Sequence, residues 1–305
     1  MAMAIALVFN PGSNSLKFDL VELAADQPIA SHATKLASAA LDGIGRDTTL
    51  SVYRGREIIA ENRIEAKDMT AAAHAAFGWL RAQKDLSGHL GKLALAGVRV
   101  VHGGSGFEGA TKVTAPVRKA IAALEELAPL HNQSSLDILD VLSKELPDIA
   151  AYVTFDTAFH RTLPEKAWRY PIERETADRH GVRKFGFHGL SHRYMLEQFA
   201  HMTNKAVEDV TIVTLHLESG CSACAIERGR SVDTTMGLTP LEGLMMGSRS
   251  GSIDPAIVPF LMRKEAKSAE DILSLLNKHS GLLGIAGGTL DTRELVKRDD
   301  APAHL

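Results

Sequence analysis

Short apolar runs and period-two alternation fill most of the first 155 residues, and the same patterns return after residue 210. Ala4 to Phe9 is an unbroken apolar run suited to a buried strand. It closes in Asn10-Pro11-Gly12-Ser13-Asn14-Ser15, a cluster of turn formers. Leu16 to Leu23 then alternates apolar and polar residues and reads as the return strand of a hairpin. Leu50 to Tyr53 and Ile58 to Ile64 supply two further strands, and Ala66 to Gln83 has helical composition. Leu93 to Val101 is another buried strand, ending in His102-Gly103-Gly104. Pro116 to Leu127 and Ser134 to Leu146 read as amphipathic helices, separated by a turn at Leu130-His131-Asn132. Ala150 to Phe155 is a strand running into Asp156-Thr157.

In the second half, Val210 to Leu217 reads as a buried strand, Glu218-Ser219-Gly220-Cys221-Ser222 as a polar turn, and Ala223 to Glu227 as its return strand. Arg228-Gly229-Arg230 turns into a third strand, Ser231 to Thr234. Strand, Ser/Gly turn, strand, strand thus occurs twice, which predicts a duplicated α/β chain with domains at 1–157 and 158–305. Two such polar loops facing each other across a cleft would offer backbone N–H groups and hydroxyls to one polyphosphate.

Bulk composition narrows the classes. The chain is 45% hydrophobic and 23% charged, as ordinary globular proteins are. A net charge of −3 lacks the basic excess of a nucleic-acid binder. No apolar run reaches the length of a membrane span. The N-terminus, apolar but without a basic leader, reads as a first strand, not a signal peptide. Two cysteines in a chain of this size suit a reducing cytoplasm.

The candidate chemistry centres on Asp233 to Pro255, where Gly237, Gly243, Gly247 and Gly251 break the chain into turns. Arg249 sits on a Ser-Arg-Ser-Gly loop just before Asp254-Pro255, which reads as a helix N-cap and first-turn proline. A guanidinium so placed suits a carboxylate or phosphate; the plainer alternative is a surface pair with an acid such as Glu242. Asn10, Ser13, Ser15 and Lys17 offer an amide, hydroxyls and a cation to phosphate oxygens, though the segment is no Walker A loop. Arg99 and Asp156 lie at the carboxyl ends of predicted strands, where ligands of α/β sheets gather. Asp156 there can hold Mg²⁺ through water, or cap a helix. His188 and His192 are four apart, but Gly189 stands where a zincin needs glutamate, so a hydrogen-bond donor at His188 and a helix-start contact at His192 are favoured over zinc. Cys221 and Cys224 form a C-x-x-C at a hairpin, for which redox chemistry is the minority reading.

NPGSNSLKF, RVVHGG, LAPLHN, FDTAFH, GFHGLSH, DTTMGLTPLEGLMMGSRSGSIDP and LLGIAGGTLDTREL, in this order, resemble the acetate and propionate kinase family from Ala4 to about Leu295. The resemblance implies duplicated actin-like (ribonuclease H-like) domains flanking a cleft, as in sugar kinases. It implies reversible, ATP- and Mg²⁺- (or Mn²⁺-) dependent phosphorylation of acetate or a similar short carboxylate to an acyl phosphate, without nucleic acid or membrane. In that family Arg99 and Arg249 would hold the carboxylate and the phosphoryl group in flight, His188 an equatorial oxygen, and Asp156, with Asn10, the metal. Asn10, Ser13, Ser15, Lys17, His131, His216 and Gly220 would line the phosphate track. Val101, Leu130, Phe187 and Pro240 would form the acyl pocket, and Asp291 and Arg293 would lie near the base and ribose. A homodimer is the expected assembly.

Four departures from the family pattern stand out. Glu218-Ser219 replaces a Gly-Asn-like pair before Gly220, Leu190 replaces a small polar residue, and Gly287-Gly288-Thr289 departs before Asp291. The sequence stops at Leu305, before the adenine loop and a metal-binding glutamate that the family carries, so the second domain is expected to be incomplete. A shortened, impaired relative that binds small anions or a partner is the alternative, and a metal hydrolase using His188 and His192 a third.

Overall fold

The computed structural model describes residues 3–24, 33–125, 128–287, 295, 297 and 298, with 129–131 described in backbone only. The chain divides into two compact units, Met1–Ala158 and Phe159–Leu305.

The first unit is built on one sheet of eight strands in the order β5-β4-β3-β2-β1-β6-β8-β7. β1 (Met3–Pro11), β2 (Ser15–Ala24), β3 (Ala33–Asp42), β4 (Thr49–Arg54) and β5 (Glu57–Arg63) form an antiparallel meander. β6 (Leu93–Val100) and β8 (Ala151–Phe155) extend it in parallel beside β1, and the two-residue β7 (Thr111–Lys112) closes the edge. Parallel neighbours are central and covered, so Ile5, Leu7 and Phe9 of β1 and Val98 and Val100 of β6 are buried. The Met69–Ala82 helix buries Ala72, Ala73, Ala76, Phe77 and Leu80, a stripe at helical spacing, and Asp68 caps it by accepting from the N–H of Ala71 at 2.8 Å. Phe9, Phe18 and Phe77 meet in tilted ring pairs at the centre of this core.

The first unit departs from the sequence expectation in places. β3 has no counterpart there, because its alanine-rich ATKLASAALD carries a single β-branched residue, Thr34, of the kind that marks a strand. The turn placed at Leu130-His131-Asn132 is instead the opening of a helix, Pro129–Glu145, whose proline stands in the first turn. Asn132 looks like a turn former but is a buried pin: its Oδ1 accepts from the N–H of His102 at 3.1 Å, and its Nδ2 donates to the His102 carbonyl at 3.0 Å.

The second unit carries a three-stranded antiparallel sheet, β9 (Ile212–Leu217), β10 (Cys221–Glu227) and β11 (Arg230–Thr234), ordered β11-β10-β9. This repeats the β1-β2-β3 meander, with the tip at Glu218–Gly220 standing where Gly12–Asn14 stands in the first unit. The Gly189–Met202 helix packs Leu196 and Ala200 against Val210, Cys224 and Ile226. β9 is not buried on both faces. Val213, Leu215 and Leu217 are exposed, while Thr214 turns inward. A further helix begins at Ile257, two residues beyond the expected start, because Asp254 closes a separate turn by accepting from the N–H of Ala256 at 2.9 Å. Among the described residues no helix is long and apolar enough to cross a membrane.

Candidate active site

In the first unit, the parallel register aligns three strand ends. Phe9 pairs with Val98, and Val100 with Phe155, so Asn10, Arg99 and Asp156 become neighbours. Arg99 Nε donates to Asp156 Oδ1 at 2.9 Å, Nη2 donates to Asp156 Oδ2, and Nη1 donates to Asn10 Oδ1 at 2.8 Å. Asp156 is only 2% exposed in its side chain while Arg99 is 26% exposed, so a buried carboxylate holds a cation at the carboxyl ends of two interior strands. Ser135 Oγ donates to the Arg99 carbonyl at 2.9 Å, fixing the strand end to the Pro129–Glu145 helix. Asn10 pairs with Lys17 across the β1–β2 hairpin, with Ser13 exposed and Ser15 half-buried at the turn. Val101 is buried. The side chains of Leu130 and His131 lie outside the described residues.

In the second unit, five further candidates come together. Gly220 stands at the tip of the β9–β10 hairpin. A Cβ there would lie 3.4 Å from His188 Nε2 and 3.8 Å from Arg249 Nη1, so its bare backbone leaves room between an imidazole and a guanidinium. His188 stacks on His216 with ring centroids 4.1 Å apart. His216 Nδ1 meets Ser191 Oγ at 2.9 Å. Arg249 Nη1 donates to the Pro240 carbonyl at 2.9 Å. Glu242, offered above as the plain partner of Arg249, instead accepts from the hydroxyl of Tyr170, and the N–H of Leu238 donates to that same phenol oxygen at 2.9 Å. Burial, with the Glu242 carboxylate beside it, pushes the Tyr170 phenol well above its usual range. Glu218 is exposed and brings its carboxylate to 3.9 Å from His216 Nε2, so the departure at this position puts negative charge beside the stacked imidazoles. Asp291 and Arg293 lie outside the described residues.

The Arg249 loop is held from below. The N–H of Gly247 donates to the Ser219 carbonyl at 3.1 Å, tying loop to hairpin tip, and the N–H of Ser280 donates to the Ser248 carbonyl at 3.0 Å. Gly281, at φ 61°, presses on the loop so closely that a Cβ would sit 2.2 Å from the Met246 carbonyl oxygen and 2.5 Å from that of Arg249. Gly281→Ala is therefore expected to cost about 1–3 kcal/mol by overpacking and to lower activity by moving Arg249. Thermal melts and turnover measured on the same sample check this, and an unchanged melt would refute it.

His188 itself occupies the left-handed region at φ 57°, a position costing a non-glycine residue about 1–3 kcal/mol and kept only where surroundings enforce it. The preceding Phe187 is fully buried, and its carbonyl lies 2.9 Å from His160 Nε2. A carbonyl can only accept, so His160 carries its proton on Nε2, and Ser231 Oγ, 2.8 Å from Nδ1, donates to the other nitrogen. Sequence reading assigns no role to His160, Ser231 or Tyr170 and takes Asn132 as part of a turn. For His160, Ser231 and Asn132 the usable signal is a polar residue at an inward position of a strand or helix, which is kept only when partnered.

The remaining motifs carry no separate chemistry. Among the described residues no group of three or more metal-ligating side chains exists, and both ring nitrogens of His192 meet hydroxyls. Burial pushes the Cys224 thiol up to about 11 and raises that of Cys221 as well, the opposite of an activated pair. Both cysteines are free. Cys224 is expected to resist iodoacetamide in the folded protein near neutral pH and to react on denaturation; alkylation of the native protein followed by peptide mass mapping checks this.

The chain matches the Acetokinase family over residues 5–304. It is 41% identical over 293 residues to an acetate kinase of Halothermothrix orenii, covering 95% of this chain and 71% of that protein. It is 39% identical over 303 residues to one of Staphylococcus aureus, covering 97% and 72%. Among solved structures, a propionate kinase of Francisella tularensis superposes with a TM-score of 0.87 at 34% identity, over 99% of this chain and 75% of that one. The Porphyromonas gingivalis acetate kinase gives 0.86 at 33% identity, over 99% and 75%. The chain, with its twice-used meander and its histidine–arginine cluster at a glycine hairpin tip, belongs to the acetokinase family.

Proposed function

We propose that this chain transfers the γ-phosphoryl group of ATP directly and reversibly to acetate, or to a carboxylate of similar size, forming the acyl phosphate. The observation that carries this reading is the convergence of His188 Nε2 and Arg249 Nη1 on the backbone of Gly220. A carboxylate is already a nucleophile, so the protein supplies positioning and charge and no general base. Arg249 takes the phosphoryl group as its oxygens spread into a plane, and His188 donates to one of them. Arg99 takes the acceptor carboxylate. Asp156 and Asn10 accept three of its five N–H bonds, which sets the direction of the fork. Phe187, Pro240, Val101 and Leu130 serve the acyl group. Ser13, Ser15, Lys17, His131, His216, Asp291 and Arg293 serve the nucleotide.

The oxygen donors at these strand ends suit Mg²⁺. Asp156 and Asn10 each accept from Arg99 with one lone pair per oxygen, and the second lone pair of each oxygen would hold the ion directly or through its water. When bound, the ion neutralises charge on the β- and γ-phosphate oxygens. The two free cysteines support a reducing cytoplasm, and a homodimer is the proposed assembly, which sedimentation measures.

The deciding experiment mixes the protein with ATP, Mg²⁺, acetate and hydroxylamine. Acetyl hydroxamate, absent without ATP, is the expected product; ATP hydrolysis without hydroxamate would sink the reading.

A further inference from the structure

Ser222 is fully buried on the inward face of β10, and its hydroxyl touches two imidazoles at once. His188 Nδ1 lies 2.8 Å away and His192 Nε2 2.9 Å away. His192, also fully buried, meets Thr214 Oγ1 with its other nitrogen at 2.8 Å. The chain Thr214, His192, Ser222, His188 thus runs from the inner face of the sheet to the ring that faces Arg249.

A serine hydroxyl has one proton and two lone pairs. Facing two nitrogens, it can donate to only one, and the other must bring its own proton. The four groups are therefore coupled. If Ser222 donates to His188 Nδ1, then His188 keeps its proton on Nε2, His192 donates from Nε2 to Ser222, and Thr214 donates to His192 Nδ1. Reversing the chain moves the His188 proton to Nδ1 and turns a lone pair toward Arg249's side of the ring. A site that receives phosphoryl oxygens needs a donor there.

We infer that Ser222, His192 and Thr214 are positioning residues that hold His188 as the neutral Nε2–H tautomer. This rests on the proposed phosphoryl transfer. The carbonyl of Phe187, held by His160, fixes the backbone on which that ring stands. These partners thereby fix both where the imidazole is and which nitrogen carries hydrogen, a role that orienting groups commonly play for catalytic and metal-bound histidines.

The test reads ring nitrogens directly. With ¹⁵N-histidine in the full chain at about pH 8, above the usual imidazole range, His188 should show a protonated Nε2 and an accepting Nδ1. Ser222→Ala should mix the two tautomers and lower kcat by about 10–100-fold, the range for lost orienting partners. KM for acetate should stay within about twofold, since ground-state binding is untouched. Ser222→Thr, which keeps the hydroxyl, should restore both. A wild-type His188 protonated on Nδ1 would overturn the inference, and so would a folded Ser222→Ala protein of undiminished kcat. Because the nitrogen spectrum is read whether or not hydroxamate forms, failure of the phosphoryl-transfer reading is distinguished from failure of this one.

Discussion

Arg249→Ala is expected to lower kcat by about 10²–10³-fold, the loss seen when one donor to a developing anion is removed. The guanidinium is half-buried and donates to the Pro240 carbonyl, and losing that bond costs about 0.5–1.5 kcal/mol of stability. The loop keeps its shape through Gly247 and Ser280, whose backbone bonds do not involve the side chain. Arg249→Lys should recover little of the rate. An ammonium is a point charge and cannot present the planar fork that spans a phosphoryl group. Hydroxamate formation at saturating ATP and acetate, with a melt of each variant, gives both numbers. Turnover of the alanine variant within about threefold of wild type would remove Arg249 from transition-state stabilisation.

The elements of the first unit were largely legible because strand periodicity there is strong and glycine or proline marks several of the ends. The failures have physical causes. β3 is rich in alanine, so its pattern carries little β signal, and its place between β2 and β4 makes it a strand. Asn132 was read as a turn because asparagine favours turns; its buried amide instead serves the backbone of His102, a contact across thirty residues that no local pattern encodes. At the site, Arg249 stood out on its glycine-flanked loop and His188 in a histidine pair four residues apart, while Gly220 entered through the family resemblance. Ser222 and His160 did not stand out, since a lone serine on a strand or histidine in a short helix has many ordinary uses. Their roles follow only from what the fold places within 3 Å of them.

Arg99→Ala should behave unlike Arg249→Ala. It removes the bidentate partner of Asp156, whose side chain is 2% exposed, and a buried carboxylate deprived of its cation costs about 3–5 kcal/mol. Activity should fall as well, but the distinguishing result is the melt. Asp156→Asn alone should also destabilise, since the amide offers the fork one acceptor where the carboxylate gave two. In the double variant Arg99→Ala, Asp156→Asn the buried charge is gone, so the double should be more stable than Arg99→Ala alone. The two losses are thus expected to be strongly non-additive, with a coupling of about 0.5–3 kcal/mol, as for residues in one ion-pair network. Denaturant unfolding of the four proteins measures it. Strict additivity would mean that Asp156 is satisfied without Arg99, and the strand-end arginine would then owe its direction to something other than the carboxylate beside it.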